Sequence, residues 1–282
     1  MVTITRHKID LDVESQLEFY NGLIFETGKE MLANDPLPDL GGLATDAIHY
    51  AGLLSLTKPY SHELANILRL AAYALNNQFL LAKVSEKAEP IEVFVPPFEP
   101  VMKTPSGVND RTHAGAWLQA FYLATICREW HILDDLLEID TELLRRSSTR
   151  TGNYAYHQVD MLKAFCKKEP TLPDLFIKAL EATDPKIVPE QFLDYALNVA
   201  VHEINLIPGV IKKDTRDFND SLIKALESHK KYASAKSRAN DSRLFLSLGA
   251  LAMATLAYIQ GINLEVASDY IPKSVIEQKY RD

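Results

Sequence analysis

Cysteine-dependent chemistry has little to work with in this chain: only Cys127 and Cys166 occur among 282 residues. Two isolated thiols, each inside an apolar helical pattern, make neither a disulfide framework nor a zinc cluster, and their expected role is that of small buried hydrophobes. Glycine is also sparse, at 11 residues, and Gly41-Gly42 lacks the further glycines or the Lys-Ser/Thr pair that would cradle a phosphate, so it reads as a turn. No GxSxG nucleophile elbow is present. His202-Glu203 is followed by Ile-Asn-Leu, so the HExxH zinc pattern fails at its second histidine.

Basic residues are outnumbered 30 to 38, a net charge of -8. That argues against the basic surface nucleic-acid binding requires and favours a cationic partner. No apolar run is long enough to span a bilayer. The longest, Leu244 to Ile259, includes Ser247, Gly249 and Thr255 and falls short of the roughly 20 residues needed. It reads as a buried central helix, and no membrane contact is expected. The opening MVTITRHKIDLDVES reaches charge at Arg6 and has no apolar secretory core, so the expected location is the cytoplasm.

What is present is helical spacing. Hydrophobic residues make up 47% and charged residues 24%, values that place the chain among ordinary globular proteins. Leu11 to Leu32 reads as an opening helix interrupted near Gly22 and Gly28, and Thr45 to Leu56 as a second. Ser61 caps a third, whose stripe is Leu64, Ile67, Leu68, Ala71, Ala72, Leu75, Phe79 and Ala82. Between Glu89 and Pro105 the prolines demand extended chain, a boundary, lid or structural crossover. Further helices follow at 109–128, 131–146, 154–167, 172–182, 189–206, 217–238 and 242–260. Prolines fall in the gaps between several of them, and Pro189 fits a first helical turn. Short connections imply antiparallel neighbours. The expected fold is all-α: an irregular array of antiparallel helical hairpins with one short extended proline-rich crossover, in a single domain over 1–282 that could subdivide near 89–108.

Two acidic segments raise an enzymatic alternative. Asp134-Asp135-Leu-Leu-Glu138 puts three carboxylates on one helix face, a grouping able to hold magnesium against a diphosphate, as in isoprenoid synthases. Asn219-Asp220 with Glu227 is similar to the second metal motif of terpene cyclases, but Ile223 stands where a hydroxyl ligand is needed. His131 and His157 each lie one turn from an aspartate and lack a third ligand for zinc. Neither a metal nor a cofactor is expected.

Charge distribution is the stronger signal. Glu129, Asp134, Asp135, Glu138, Asp140 and Glu142 crowd one stretch without a basic residue among them. Like charges so placed cost a few tenths of a kcal/mol per helical pair, and a docked cation would relieve them. Trp130 beside them is either an aromatic anchor for a partner or a cap on the core. These seven residues are the candidate binding site.

Three segments carry a family resemblance: Trp117 to Arg128 (WLQAFYLATICR), Ala225 to Tyr232 (ALESHKKY), and Leu244 to Ile276, where an apolar helix breaks at Gly261 into an extended segment ending Asp-Tyr-Ile-Pro. Together they resemble the immunity protein 49 family of bacterial interbacterial toxin systems. After His229-Lys230 the family pattern has an aromatic pair, and this chain has Lys231-Tyr232-Ala233. The resemblance implies a mostly helical cytoplasmic protein that binds and silences a cognate toxin, frequently a nuclease, delivered by neighbouring cells through systems such as type VI secretion. A helical scaffold or adaptor without a toxin partner is the alternative from a different class.

Overall fold

The computed structural model describes residues 1–84 and 87–281, and among them helix dominates. The chain opens on a short strand, β1 (Val2–Ile4). Asp12 then caps α1 (Val13–Gly22) by accepting from the Ser15 amide at 3.2 Å. This helix widens into a π-helical stretch, Leu23–Gly28, and continues as α2 (Lys29–Asn34). The interruption expected near Gly22 and Gly28 is therefore a local unwinding of one continuous helix. Asp39 accepts from Gly42 N at 2.8 Å to start α3 (Leu40–Thr57), and the Ser61 hydroxyl accepts from Leu64 N at 3.2 Å to start α4 (His62–Lys83). The stripe read from Leu64 to Ala82 is buried throughout, as its 3.6-residue period requires.

The proline-rich stretch is extended and folds back on itself. β2 (Ile91–Val93) and β3 (Val101–Lys103) pair antiparallel, with Glu92 opposite Met102. Its prolines lie in the turn and at the flanks, where no ladder N–H is lost. The hairpin buries Val93 and Val95, and the ammonium of buried Lys103 donates to the carbonyl of Asp35.

The central element is α5 (Ala114–Cys127), which begins at Ala114 and not at Asn109. Asn109 and Thr112 close a turn, Thr112 Oγ1 donating to Asn109 O at 2.8 Å, and the His113 ring caps the helix by accepting from Ala116 N. Because α5 is apolar on nearly every side, it can only lie inside, and α4 is one of its neighbours. Trp117 is fully buried, its Nε1–H donating to Leu136 O at 3.0 Å. Where the spacing predicts one helix over 131–146 there are two, α6 (Trp130–Leu137) and α7 (Thr141–Arg145). Asp140 separates them by accepting from Glu142 N at 3.0 Å, a new N-cap.

The second half continues with α8 (Asn153–Lys167), α9 (Leu172–Glu181) and α10 (Glu190–Tyr195). A second π-helical stretch, Ala196–Ala200, leads into α11 (Val201–Ile204), followed by α12 (Ile207–Lys212) and α13 (Thr215–Ala233). The apolar run becomes a 3-10 turn, Ser242–Leu244, and then α14 (Leu248–Ile259), which packs on α5 in the core. Gly261, at φ +83°, ends it with a backbone that disfavours side chains. The chain then runs through β4 (Val266–Ser268) to α15 (Lys273–Glu277).

Sequential helices pack as neighbours, α3 on α4, α4 on α5, α8 on α9 and α12 on α13, and this gives the irregular all-α array. One contiguous core runs from Ile4 to Ile276. Its two ends are joined by β1, which pairs parallel with β4, Val2 opposite Val266. Arg6 secures the joint by donating to Phe245 O at 3.1 Å and Asp269 O at 2.6 Å, while the His7 amide donates to the Tyr270 hydroxyl at 3.0 Å.

Candidate functional site

The acidic candidate residues sit on α6, α7 and the turns around them, and all but one already have partners, three of them from distant parts of the chain. Glu129 pairs with Arg69 of α4 and lies 3.6 Å from the His131 ring. Asp135 accepts from Asn76 Nδ2 at 3.0 Å, and Glu138 pairs with Lys167 of α8 at 3.2 Å, which holds its carboxyl below the usual range. Asp140 is a helix cap, and Glu142 pairs with Arg145 at 3.3 Å. The mutual repulsion read from the sequence is thus relieved by bases that lie outside the stretch. Asp134 is the exception: it is exposed, and no described residue makes a hydrogen bond or ion pair with it. It shares the rim of a 230 Å³ pocket with Trp130, over a wall of Phe121, Leu133, Phe165 and Leu256. Trp130 is 45% exposed, so it does not serve as a plug in the core.

A larger cleft of about 550 Å³ was not anticipated from the sequence. Its floor holds Glu203 of α11, 8% exposed, the glutamate of the incomplete zinc motif. The Tyr122 hydroxyl donates to Glu203 Oε2 at 2.9 Å, and Gln158 Nε2 donates to both the Tyr122 oxygen (2.7 Å) and Oε2 (3.4 Å). No described residue donates to the other oxygen, Oε1. The carboxylate fits only because position 249 is glycine, since a Cβ there would stand 2.1 Å from Oε1. Burial outweighs the Tyr122 and Gln158 hydrogen bonds and pushes this carboxyl up to about 7. Tyr154, Tyr195 and Tyr232 form an aromatic wall, Tyr154 stacking on Tyr195 at 6.4 Å and Tyr195 meeting Tyr232 edge-on at 5.7 Å. Two arginines also line the cleft and both are committed. Arg238 lies 3.9 Å over the Tyr232 ring and pairs with Asp194 at 2.6 Å, and Arg243 forms a fork on Asp241 at 2.7 and 2.9 Å.

The remaining sequence candidates have structural duties. Asn219 is buried, its Nδ2 donating to Thr215 O and Asn263 O and its Oδ1 accepting from Glu265 N, so it ties α13 to the segment entering β4. Asp220 lies 3.8 Å from Arg216. Burial pushes both thiols up, that of Cys166 to about 12. Among the described residues no group of three His, Cys, Asp or Glu side chains is arranged to hold a metal.

The family model for immunity protein 49 matches residues 58–275. The chain belongs to the immunity protein 49 family. Searches of the curated proteins and of the solved structures each returned no significant match. As an immunity protein it has a toxin for a partner, and that role is one of binding. All three segments that carry the resemblance line the Glu203 cleft of this immunity protein 49 member: Tyr122 from the first, His229 and Tyr232 from the second, Leu244 and Leu246 to Gly249 from the third.

Proposed function

We propose that this immunity protein neutralises a toxin that acts in the cytoplasm, a nuclease, by covering its active site or substrate groove. Family membership carries the antidote role. The net charge of -8 supports the choice of target, because a nuclease groove must be basic to hold a phosphate backbone, and acidic complementarity speeds its capture. The contact we favour is the α6 face. An exposed tryptophan over an apolar pocket, with an unpaired carboxylate at the rim, has the composition of a binding hot spot.

The test is affinity capture of the tagged chain from its host, with mass spectrometry of what accompanies it. A secreted-effector or nuclease polypeptide at near-equal stoichiometry is the expected result. Unrelated housekeeping proteins alone, with the candidate toxin shown to be expressed, would favour the scaffold reading. With the toxin in hand, Trp130→Ala combined with Asp134→Lys is expected to weaken binding at least tenfold and leave the helical circular dichroism unchanged. Unaltered affinity would refute the α6 face and leave the antidote role standing.

A further inference from the structure

We infer that the Glu203 cleft is a receptor for one basic side chain, an arginine or lysine, presented by the protein partner. The inference rests on the immunity reading only in taking that partner to be a protein. The argument begins with unused hydrogen-bonding capacity. Glu203 Oε1 accepts no hydrogen bond from any described residue, although the side chain is 8% exposed. His229, 4% exposed, lines the same cleft with Nδ1 unpartnered. Its Nε2 lies 2.9 Å from the Leu244 carbonyl, which can only accept, so Nε2 carries the proton and Nδ1 is left as an acceptor. The Thr151 hydroxyl is a second buried group in this lining without a partner. Two of these free groups, Glu203 Oε1 and His229 Nδ1, are acceptors, and the hydroxyl can serve as one, so the floor calls for a donor-rich occupant.

The walls narrow the choice further. Tyr154, Tyr195 and Tyr232 offer aromatic surface of the kind that receives ammonium and guanidinium groups. An anion would need a free cation in the lining, and both arginines there are already paired with aspartates. Among the described residues no basic group neutralises Glu203, since only burial and its two hydrogen-bond donors act on it. A buried carboxylate without a cation is costly, and the lack of a side chain at Gly249 makes the room for it. An incoming guanidinium or ammonium supplies what the site lacks, with its apolar stem lying along the tyrosines.

The test uses the intact protein and three small probes: Nα-acetyl-arginine methylamide, its lysine counterpart and the neutral norleucine counterpart. Amide resonances are followed by 15N NMR during titration. Both cationic probes are expected to bind saturably in the millimolar range, with shifts confined to the cleft, and the norleucine probe is expected not to bind. Glu203→Gln should weaken the cationic probes at least tenfold. Tyr195→Ala, at a side chain 37% exposed and therefore expected to leave the fold intact, should weaken them about threefold or more. No saturable binding, equal binding of norleucine, or indifference to both substitutions would overturn the inference. So would a free polyamine or quaternary ammonium binding a hundredfold tighter than the residue probes, which would assign the cleft to a diffusible cation. Because the probes replace the partner, these outcomes are independent of whether affinity capture recovers a toxin.

Discussion

Replacing Glu203 by glutamine is expected to stabilise the folded protein at and above pH 7 and to change it little below pH 4.5. Burial lifts this carboxyl from 4.5 to about 7. Between those values the folded chain keeps the proton that the unfolded chain releases, so the folded state binds more protons and stability falls as pH rises. The favourable contribution is complete below 4.5 and lost through the folded value near 7. About 2.5 pH units at about 1.4 kcal/mol each give a total loss of roughly 3 kcal/mol. The titratable groups around Glu203 are Tyr122 from α5, Tyr154 from α8 and Tyr195 from α10, all shifted upward and neutral across this window. Urea unfolding of both proteins at a series of pH values isolates the effect, because every other carboxylate contributes equally to each. The difference in unfolding free energy should grow from near zero at pH 4.5 to roughly 3 kcal/mol above pH 7, and a gap independent of pH would refute the reasoning.

Two further substitutions test the packing. Gly52→Ala should destabilise by about 1–2 kcal/mol despite the better helix propensity of alanine, because its Cβ would stand 1.9 Å from the Ser242 carbonyl oxygen, while Gly22→Ala, with nothing within 4 Å, should stabilise by about 0.5–1 kcal/mol. Denaturation midpoints moving the same way in both variants would contradict this account. Asn219→Ala removes two hydrogen bonds between α13 and the approach to β4, and a third within α13 to Thr215 O, and should cost about 2–4 kcal/mol, with faster hydrogen exchange at Glu265; unchanged exchange there would show that the tie is dispensable.

Where a local period or a local breaker decides structure, the sequence was a good guide. The stripe from Leu64 to Ala82 and the end of α14 at Gly261 are of this kind, since each depends on residues within one or two turns. The 131–146 segment was read as one helix because its apolar period continues, yet Asp140 captures a backbone amide and starts a new one. β1 went unread because three residues have no strand signal of their own, and their partner lies at the other end of the chain. Of the candidate site, Trp130 and Asp134 were legible as an aromatic beside carboxylates. The pairing of Glu129 with Arg69 and of Glu138 with Lys167 was not, because those bases arrive from α4 and α8. The Glu203 cleft was invisible for the same reason. Its lining is drawn from α5, α8, α10, α11, α13 and the approach to α14, and Glu203 itself stood out only as half of a failed zinc motif.

The pairing of β1 with β4 sets a timetable for synthesis. Arg6 and His7 leave the ribosome 263 residues ahead of Asp269 and Tyr270, the groups they bond. At about 5–20 residues per second that interval is on the order of tens of seconds, during which the first strand has no strand to pair with. The helical body can assemble meanwhile, but the seam closes only after residue 270 has emerged. An antidote whose seam joins segments so far apart in order of synthesis cannot close it on a message stalled before residue 270, so a cell in which translation stops gains no new protection from that point. Survival then depends on copies completed before the attack.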